Sequence, residues 1–120
     1  MSRTVAVLLA LAIPLLTSAA PRLRTPDPNL PVGKWRVHFD NGVVERCEIR
    51  MNGTASVVEP LRSSPGKWSV KDGSVVIVSD DDRLERWTHV EGQWVVEHWC
   101  PVAAFPEGAA AARGTAKRER

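Results

Sequence analysis

The chain has 120 residues, with 16 Lys and Arg against 14 Asp and Glu, and five Trp but no Tyr. The charge is unevenly spread: residues 30–107 carry nine basic and twelve acidic side chains, residues 108–120 four basic and one acidic. A mildly acidic body lacks the basic face that nucleic-acid binding requires, and four spaced cations are too few to hold a tail on a membrane surface.

Residues 1–19 read as a signal peptide. Arg3 forms a short basic region, Val5 to Ile13 an apolar one, and Thr17 and Ala19 are the small residues before a cut after Ala19. The apolar run from Thr4 to Leu16 is shorter than the roughly 20 residues of a spanning helix, and Pro14 interrupts it, so no membrane span is expected in the mature chain. No cysteine lies near the cut, which excludes a lipoprotein. The expected location is secreted or periplasmic. About 100 residues remain, one domain near the lower size limit for a self-sufficient core.

Residues 20–31 hold Pro21, Pro26, Pro28 and Pro31 and no apolar period, which predicts an extended leader. From residue 32 to 107, short β-prone runs alternate with glycine-bearing turns. Strands are expected at Trp35–Phe39, Val43–Arg50, Thr54–Glu59, Lys67–Val70, Ser74–Ser79, Arg83–His89 and Gln93–Cys100. Gly42, Gly53 and Gly73 mark turns, Pro60–Pro65 a longer loop, and Asp80–Asp82 an acidic turn. Residues 108–120, Ala-rich and then basic, are expected to be disordered, because so short an isolated helix is marginal in water.

A three-residue loop Asp40–Gly42 with a glycine bulge pairs Phe39 with Val43 and Trp35 with Cys47. Trp35, Val37, Phe39, Val43, Cys47 and Ile49 then share one face, and a one-residue slip would scatter them. The same loop at Met51–Gly53 sets Ile49 beside Ala55 and Cys47 beside Val57. In the last hairpin, a three-residue loop Val90–Gly92 groups Leu84, Trp94, Val96 and Cys100. It sends Trp87, Val95 and Trp99 to the other face.

Cys47 and Cys100 are the two cysteines, and in an exported chain one disulfide is the economical reading. Two free thiols and a metal site are the alternatives, although neither cysteine sits in a Cys-x-x-Cys pair.

Gly-x-Trp occurs three times, as Gly33-Lys-Trp35, Gly66-Lys-Trp68 and Gly92-Gln-Trp94, each opening a strand. The first copy, after a loose leader, resembles the opening motif of the calycins: lipocalins, avidins and the secreted bacterial inhibitors of metalloproteases. Cys47-Glu-Ile-Arg50 resembles a Cys-x-Ile-Arg strand of those inhibitors, and residues 20–31 resemble their extended N-terminal segment. The likeness spans about Leu23 to Val78, and the inhibitors' second cysteine falls earlier in the chain than Cys100. Residues 41–101, with Val-Glu-His-Trp at 96–99, are also similar to small secreted bacterial proteins of no assigned role. The resemblance implies a small barrel, and a leader that enters a protease cleft as an extended strand.

Catalytic constellations are not expected. His38, His89 and His98 lie on separate strands, with His89 and His98 assigned to opposite faces, and no spacing forces a zinc site. Asp80–Asp82 is contiguous where a calcium loop alternates its ligands, so a solvated turn is the reading. Glu85 and Glu97 are expected to face each other outward, neutralised by Arg83 and Arg86. Serine-nucleophile and phosphate-loop motifs are absent from the sequence.

The expected fold is all-β: a seven- to eight-stranded antiparallel meander forming a calycin-like small barrel, with an open sheet or small sandwich as the alternative. The expected function is a binding or inhibitory module, monomeric, without cofactor, metal or catalysis, its partner a protein or a small apolar ligand. Two alternatives stand beside it: an envelope interaction protein using Trp87 and Trp99 as an exposed face, and a protease inhibitor acting through the leader.

Overall fold

The computed structural model describes residues 30–119. Eight antiparallel strands run as an uninterrupted meander: β1 Gly33–Phe39, β2 Val44–Ile49, β3 Thr54–Glu59, β4 Arg62–Lys71, β5 Ser74–Ser79, β6 Arg83–Val90, β7 Gln93–Trp99 and β8 Ala112–Arg118. Each strand pairs with the next, and β8 returns to β1 to close the barrel. Among the described residues no helix is long and apolar enough to cross a membrane.

The first two hairpins follow the glycine-bulge register. Trp35 pairs with Cys47, Cys47 with Val57 and Ile49 with Ala55, while the Phe39 amide donates to the Val43 carbonyl. Trp35, Val37, Phe39, Cys47 and Ile49 are all buried in the interior. Three elements differ from the sequence expectations.

The stretch expected as a loop at Pro60–Pro65 is a tight turn, because Glu59 pairs with Arg62 and β4 already runs through Pro65. The Pro65 carbonyl accepts from the Asp80 amide, so the residue still contributes one bond to the sheet.

The last hairpin has a two-residue turn, with Val90 paired to Gln93 and Leu84 to Trp99. Glu91 and Gly92 both have positive φ, 50° and 81°, as a two-residue hairpin turn of the twisted kind requires. The slip relative to a three-residue loop turns β6 over. Trp87 points inward, fully buried opposite Val96, and Leu84 points outward. Trp99 is on the outer face but is not exposed. The segment after β7 folds back over it, with Phe105 stacked edge-on at 4.9 Å and the Gly108 carbonyl accepting from the indole at 2.9 Å. Val76, Leu84 and Trp99 form a second small core under Val102, Phe105 and Ala110. An exposed Trp87–Trp99 face therefore does not exist.

Residues expected as a disordered tail supply β8. Ala112, Gly114 and Ala116 face inward, buried, and Arg113 and Lys117 outward. Small residues suit this strand because the tryptophans already fill the space opposite. At Gly114 a Cβ would lie 2.5 Å from the His38 carbonyl oxygen, so the backbones of β8 and β1 approach too closely for any other residue. Arg118 stacks over the Trp35 ring at 4.2 Å, and Glu119 takes Arg36 and Arg46 at 3.1 and 3.2 Å. The strand satisfies the two edges, β1 and β7, that would otherwise stand open.

Residues 1–19, expected as a signal peptide, and all of the expected leader before Leu30 lie outside the described residues. Leu30 packs against the core, and Pro31 is buried with its carbonyl accepting from Trp35 Nε1 at 2.8 Å.

Candidate functional site

The two ends of the barrel differ in chemistry. One end holds the β2–β3, β4–β5 and β6–β7 turns and is filled by rings. Trp35 meets Trp87 edge-on at 5.7 Å, Trp94 is buried beside them, and Trp68 donates to the Arg50 carbonyl. That end is closed.

The other end carries the β1–β2, β3–β4 and β5–β6 turns and the β7–β8 connection. Inward-facing positions here are largely polar: Glu45, Glu59, Ser64, Arg83, Glu85 and His98. A cavity of about 560 Å³ opens there, lined by Phe39, Asn41, Val43, Glu59, Pro60, Leu61, Arg62, His98, Ala111 and Ala112. Leu61 is 98% exposed at its rim. An eight-stranded barrel is just wide enough to hold one small ligand or to be filled by its own side chains; here aromatic rings occupy one end and a cavity lies at the other.

Behind the mouth sits a buried network of charges. Arg83 is 1% exposed; its guanidinium bonds Glu59, Asp81 at 2.9 Å and the Ser64 hydroxyl at 3.2 Å. With two carboxylates already on it, Arg83 is neutralised within its own group. Asp81 thus leaves the solvated turn expected of it, and Asp82 also accepts from the Val102 amide at 3.2 Å.

Two further carboxylates, Glu45 and Glu85, are buried at 0% and 3% exposure. Trp87 Nε1 donates to Glu85 Oε1 at 3.1 Å, and His98 Nδ1 stands 3.7 Å from Glu85 Oε2. Burial, with Glu85 opposite, pushes the Glu45 carboxyl up to about 12, so it keeps its proton at neutral pH. Burial opposes ionisation of Glu85 as well, but the neighbouring Glu45 carboxyl, His98 and the Trp87 indole N–H outweigh it and hold that carboxyl below its ordinary value. Of the pair, Glu45 is the member that keeps its proton. Burial also raises the Cys47 thiol, which shares the space: one ligand-capable atom each from Glu45, Cys47 and Glu85 all lie within 4.8 Å of one another.

The outward Glu85–Glu97 pair expected from the sequence is corrected by the register of β6. Glu85 pairs with His98 inside, whereas Glu97 lies opposite Arg86 outside and bonds it at 2.8 Å. His89 and His98 are also not on opposite faces. Both occupy inward-facing positions but at opposite ends, His89 exposed against Trp94 and His98 at the mouth. His38 is exposed on the outside of β1.

No disulfide joins the cysteines. Cys47 is buried in the interior and Cys100 is exposed beyond the end of β7, both free. Alternation along β7 predicts an inward Cys100, but the strand stops at Trp99 and the chain turns away at Pro101 before that position can enter the barrel.

Gly33, Gly66 and Gly92 serve their Trp partners differently: Gly33 has φ 135°, Gly66 admits the Val78 carbonyl where a Cβ would lie at 2.8 Å, and Gly92 belongs to the turn. Trp35 and Trp94 are buried, Trp68 half-buried. Gly42, Gly53 and Gly73 all sit in turns.

The residue missed in the sequence was Glu45. The alternation that places Val43, Cys47 and Ile49 inside places Glu45 there too, and its charge alone argued otherwise.

The chain is a small closed antiparallel β-barrel of the meander type, consistent in strand number and order with a calycin-like barrel. Comparison with protein-family models, with curated proteins and with solved structures returns no match.

Proposed function

We propose that this protein is an exported binding module that takes a small ligand in the open mouth of its barrel and performs no bond chemistry on it. The observation that supports this reading is the cavity of about 560 Å³ at the polar end; the recess beside Trp35 and Trp94 at the other end is smaller, about 350 Å³. Its lining sets apolar Phe39, Val43, Pro60 and Leu61 beside four polar residues, Asn41, Glu59, Arg62 and His98. Pockets of this size and mixed lining suit a molecule with an apolar body and one hydrogen-bonding head.

Titration with an apolar fluorescent dye tests the reading. Ala111 is exposed on the cavity wall, so Ala111→Trp fills the mouth without entering the core. Dye fluorescence should rise with the parent chain, and affinity should fall at least tenfold in the variant at unchanged melting temperature. Equal binding by both chains defeats the proposal.

A second reading, inhibition of a protease through the leader, draws on the anchoring of Pro31 to Trp35 at the end opposite the mouth. Deleting residues 20–29 separates the two: dye binding persists in either case, and inhibition of a metalloprotease disappears only if the leader carries it.

A further inference from the structure

We propose that Glu45, Cys47 and Glu85, with His98 beside them, form a divalent-metal site inside the barrel, and that zinc is the ion they suit. The site stands whether or not the mouth takes a ligand.

The first support is geometric. One donor atom from each of Glu45, Cys47 and Glu85 lies within 4.8 Å of the others, all three side chains buried. Zinc bonds of about 2.0–2.3 Å in a tetrahedron separate the ligand atoms by roughly 3.3–3.8 Å. His98 Nδ1 and Glu85 Oε2, at 3.7 Å, already stand at that spacing. The two glutamates have enough side-chain torsions to draw in by the remaining ångström. His98 is the candidate for the fourth position.

The second support is independent of distances. Both oxygens of Glu45, Oε2 of Glu85 and Nδ1 of His98 are buried and have no hydrogen-bond partner. Buried polar atoms are nearly always satisfied; here those of Glu45 and Glu85 fall at the three-residue cluster, His98 Nδ1 stands 3.7 Å from Glu85 Oε2, and Asp81 Oδ1 and Arg83 Nε are unpartnered as well. The terminal nitrogens of the Arg83 guanidinium bond Glu59 and Asp81, and its Nε, also unpartnered, makes no hydrogen bond to Glu45 or Glu85. A cation held by the two glutamates, with His98 beside them, would meet these atoms together.

The donor set chooses the ion. A thiolate beside carboxylates and an imidazole suits zinc, whereas magnesium and calcium call for oxygen alone. Cys47 is separated from Glu45 by one residue on the same face of β2, so two ligands come from one rigid strand and the third from β6 across the interior.

Cobalt(II) is the probe, because thiolate ligation gives a near-ultraviolet charge-transfer band that carboxylates and imidazoles do not. The full chain, stripped with a chelator, should develop this band on cobalt addition and lose it when zinc is added. Cys100→Ser should keep the band and Cys47→Ser should abolish it. Glu45→Gln and Glu85→Gln should each weaken cobalt binding at least tenfold while their circular dichroism stays that of the parent. Absence of the band in Cys100→Ser, which keeps Cys47 as the sole thiol, overturns the proposal even if Cys47→Ser does not fold. A band that survives in folded Cys47→Ser overturns it equally.

Discussion

Glu45 on β2 and Glu85 on β6 reach into the same buried interior, and of the two it is Glu45 that keeps its proton there. The folded state binds this proton up to about pH 12, whereas an unfolded chain releases it near 4.5. Between those values the native state carries more protons, so the metal-free protein loses stability as pH rises, by at most about 1.4 kcal/mol per unit. Cys47, raised by burial, acts in the same direction above about pH 9. Glu85 and Asp81 are lowered, so their contributions are present above the ordinary carboxyl range and disappear as pH falls through their folded values. Stability of the metal-free chain should therefore peak near pH 5, and urea unfolding at steps from pH 3 to 9 would show it.

Glu45→Gln replaces a protonated carboxyl by a neutral group of the same shape. The variant should flatten the alkaline decline and, at pH 8 without metal, be more stable than the parent by on the order of 2 kcal/mol. Chemical denaturation of the two chains side by side measures the difference. A less stable Gln variant would mean that Glu45 is ionised and paired in the folded state.

Most of the barrel was legible because its signal is a period of two pinned by turn glycines. The first two hairpins follow from asking which loop length brings Trp35, Val37, Phe39, Cys47 and Ile49 to one face, and coherent burial leaves one answer. The last hairpin resisted because both faces of β6 carry apolar residues. Leu84 and Trp87 lie on opposite sides, and either can be buried, one by the interior and one by the segment around Phe105. Periodicity cannot choose between two cores. The polar half of the interior was hidden for a related reason: Glu45, Arg83 and Glu85 fit the pattern, but burying a charge costs so much that it is not expected without a visible partner. Their partners come from other strands.

β8 was illegible for yet another reason. Ala112, Gly114 and Ala116 do alternate with Arg113, Thr115 and Lys117, but alanine and glycine carry little hydrophobic signal and poor strand propensity. Closure of the barrel selects them by space. Gly114→Ala tests this. Its methyl would meet the His38 carbonyl oxygen at 2.5 Å, which forces β1 and β8 apart. A loss of roughly 2–3 kcal/mol is expected, the upper end of overpacking effects. Truncation after Ala111 should be harsher, exposing both sheet edges and producing aggregates on size-exclusion chromatography. A truncated chain that stays monomeric with an unchanged melting temperature would show that β8 is dispensable.

The free cysteines make a further prediction. Cys100 is exposed and Cys47 is buried with its thiol raised. A thiol reagent at neutral pH should modify one cysteine of the metal-free native chain within minutes and the second only at the rate of unfolding. Peptide mapping should place the fast site at Cys100. Two slow sites together with a mass two hydrogens short would restore the disulfide.

The leader tests where the folded unit begins. Pro31 is buried, its carbonyl holds the Trp35 indole, and Leu30 packs on the core. Removal of residues 20–29 leaves these contacts in place and should not move the melting temperature. Extending the deletion through Pro31 strips the indole N–H of its acceptor and uncovers part of the closed end. A hydrogen bond contributes about 1 kcal/mol and the apolar area a similar amount, so the longer deletion should cost roughly 1–3 kcal/mol. Tryptophan emission should shift to the red in the longer deletion alone. Equal behaviour of the two deletions would mean that Trp35 is held by the barrel without help from the segment before it.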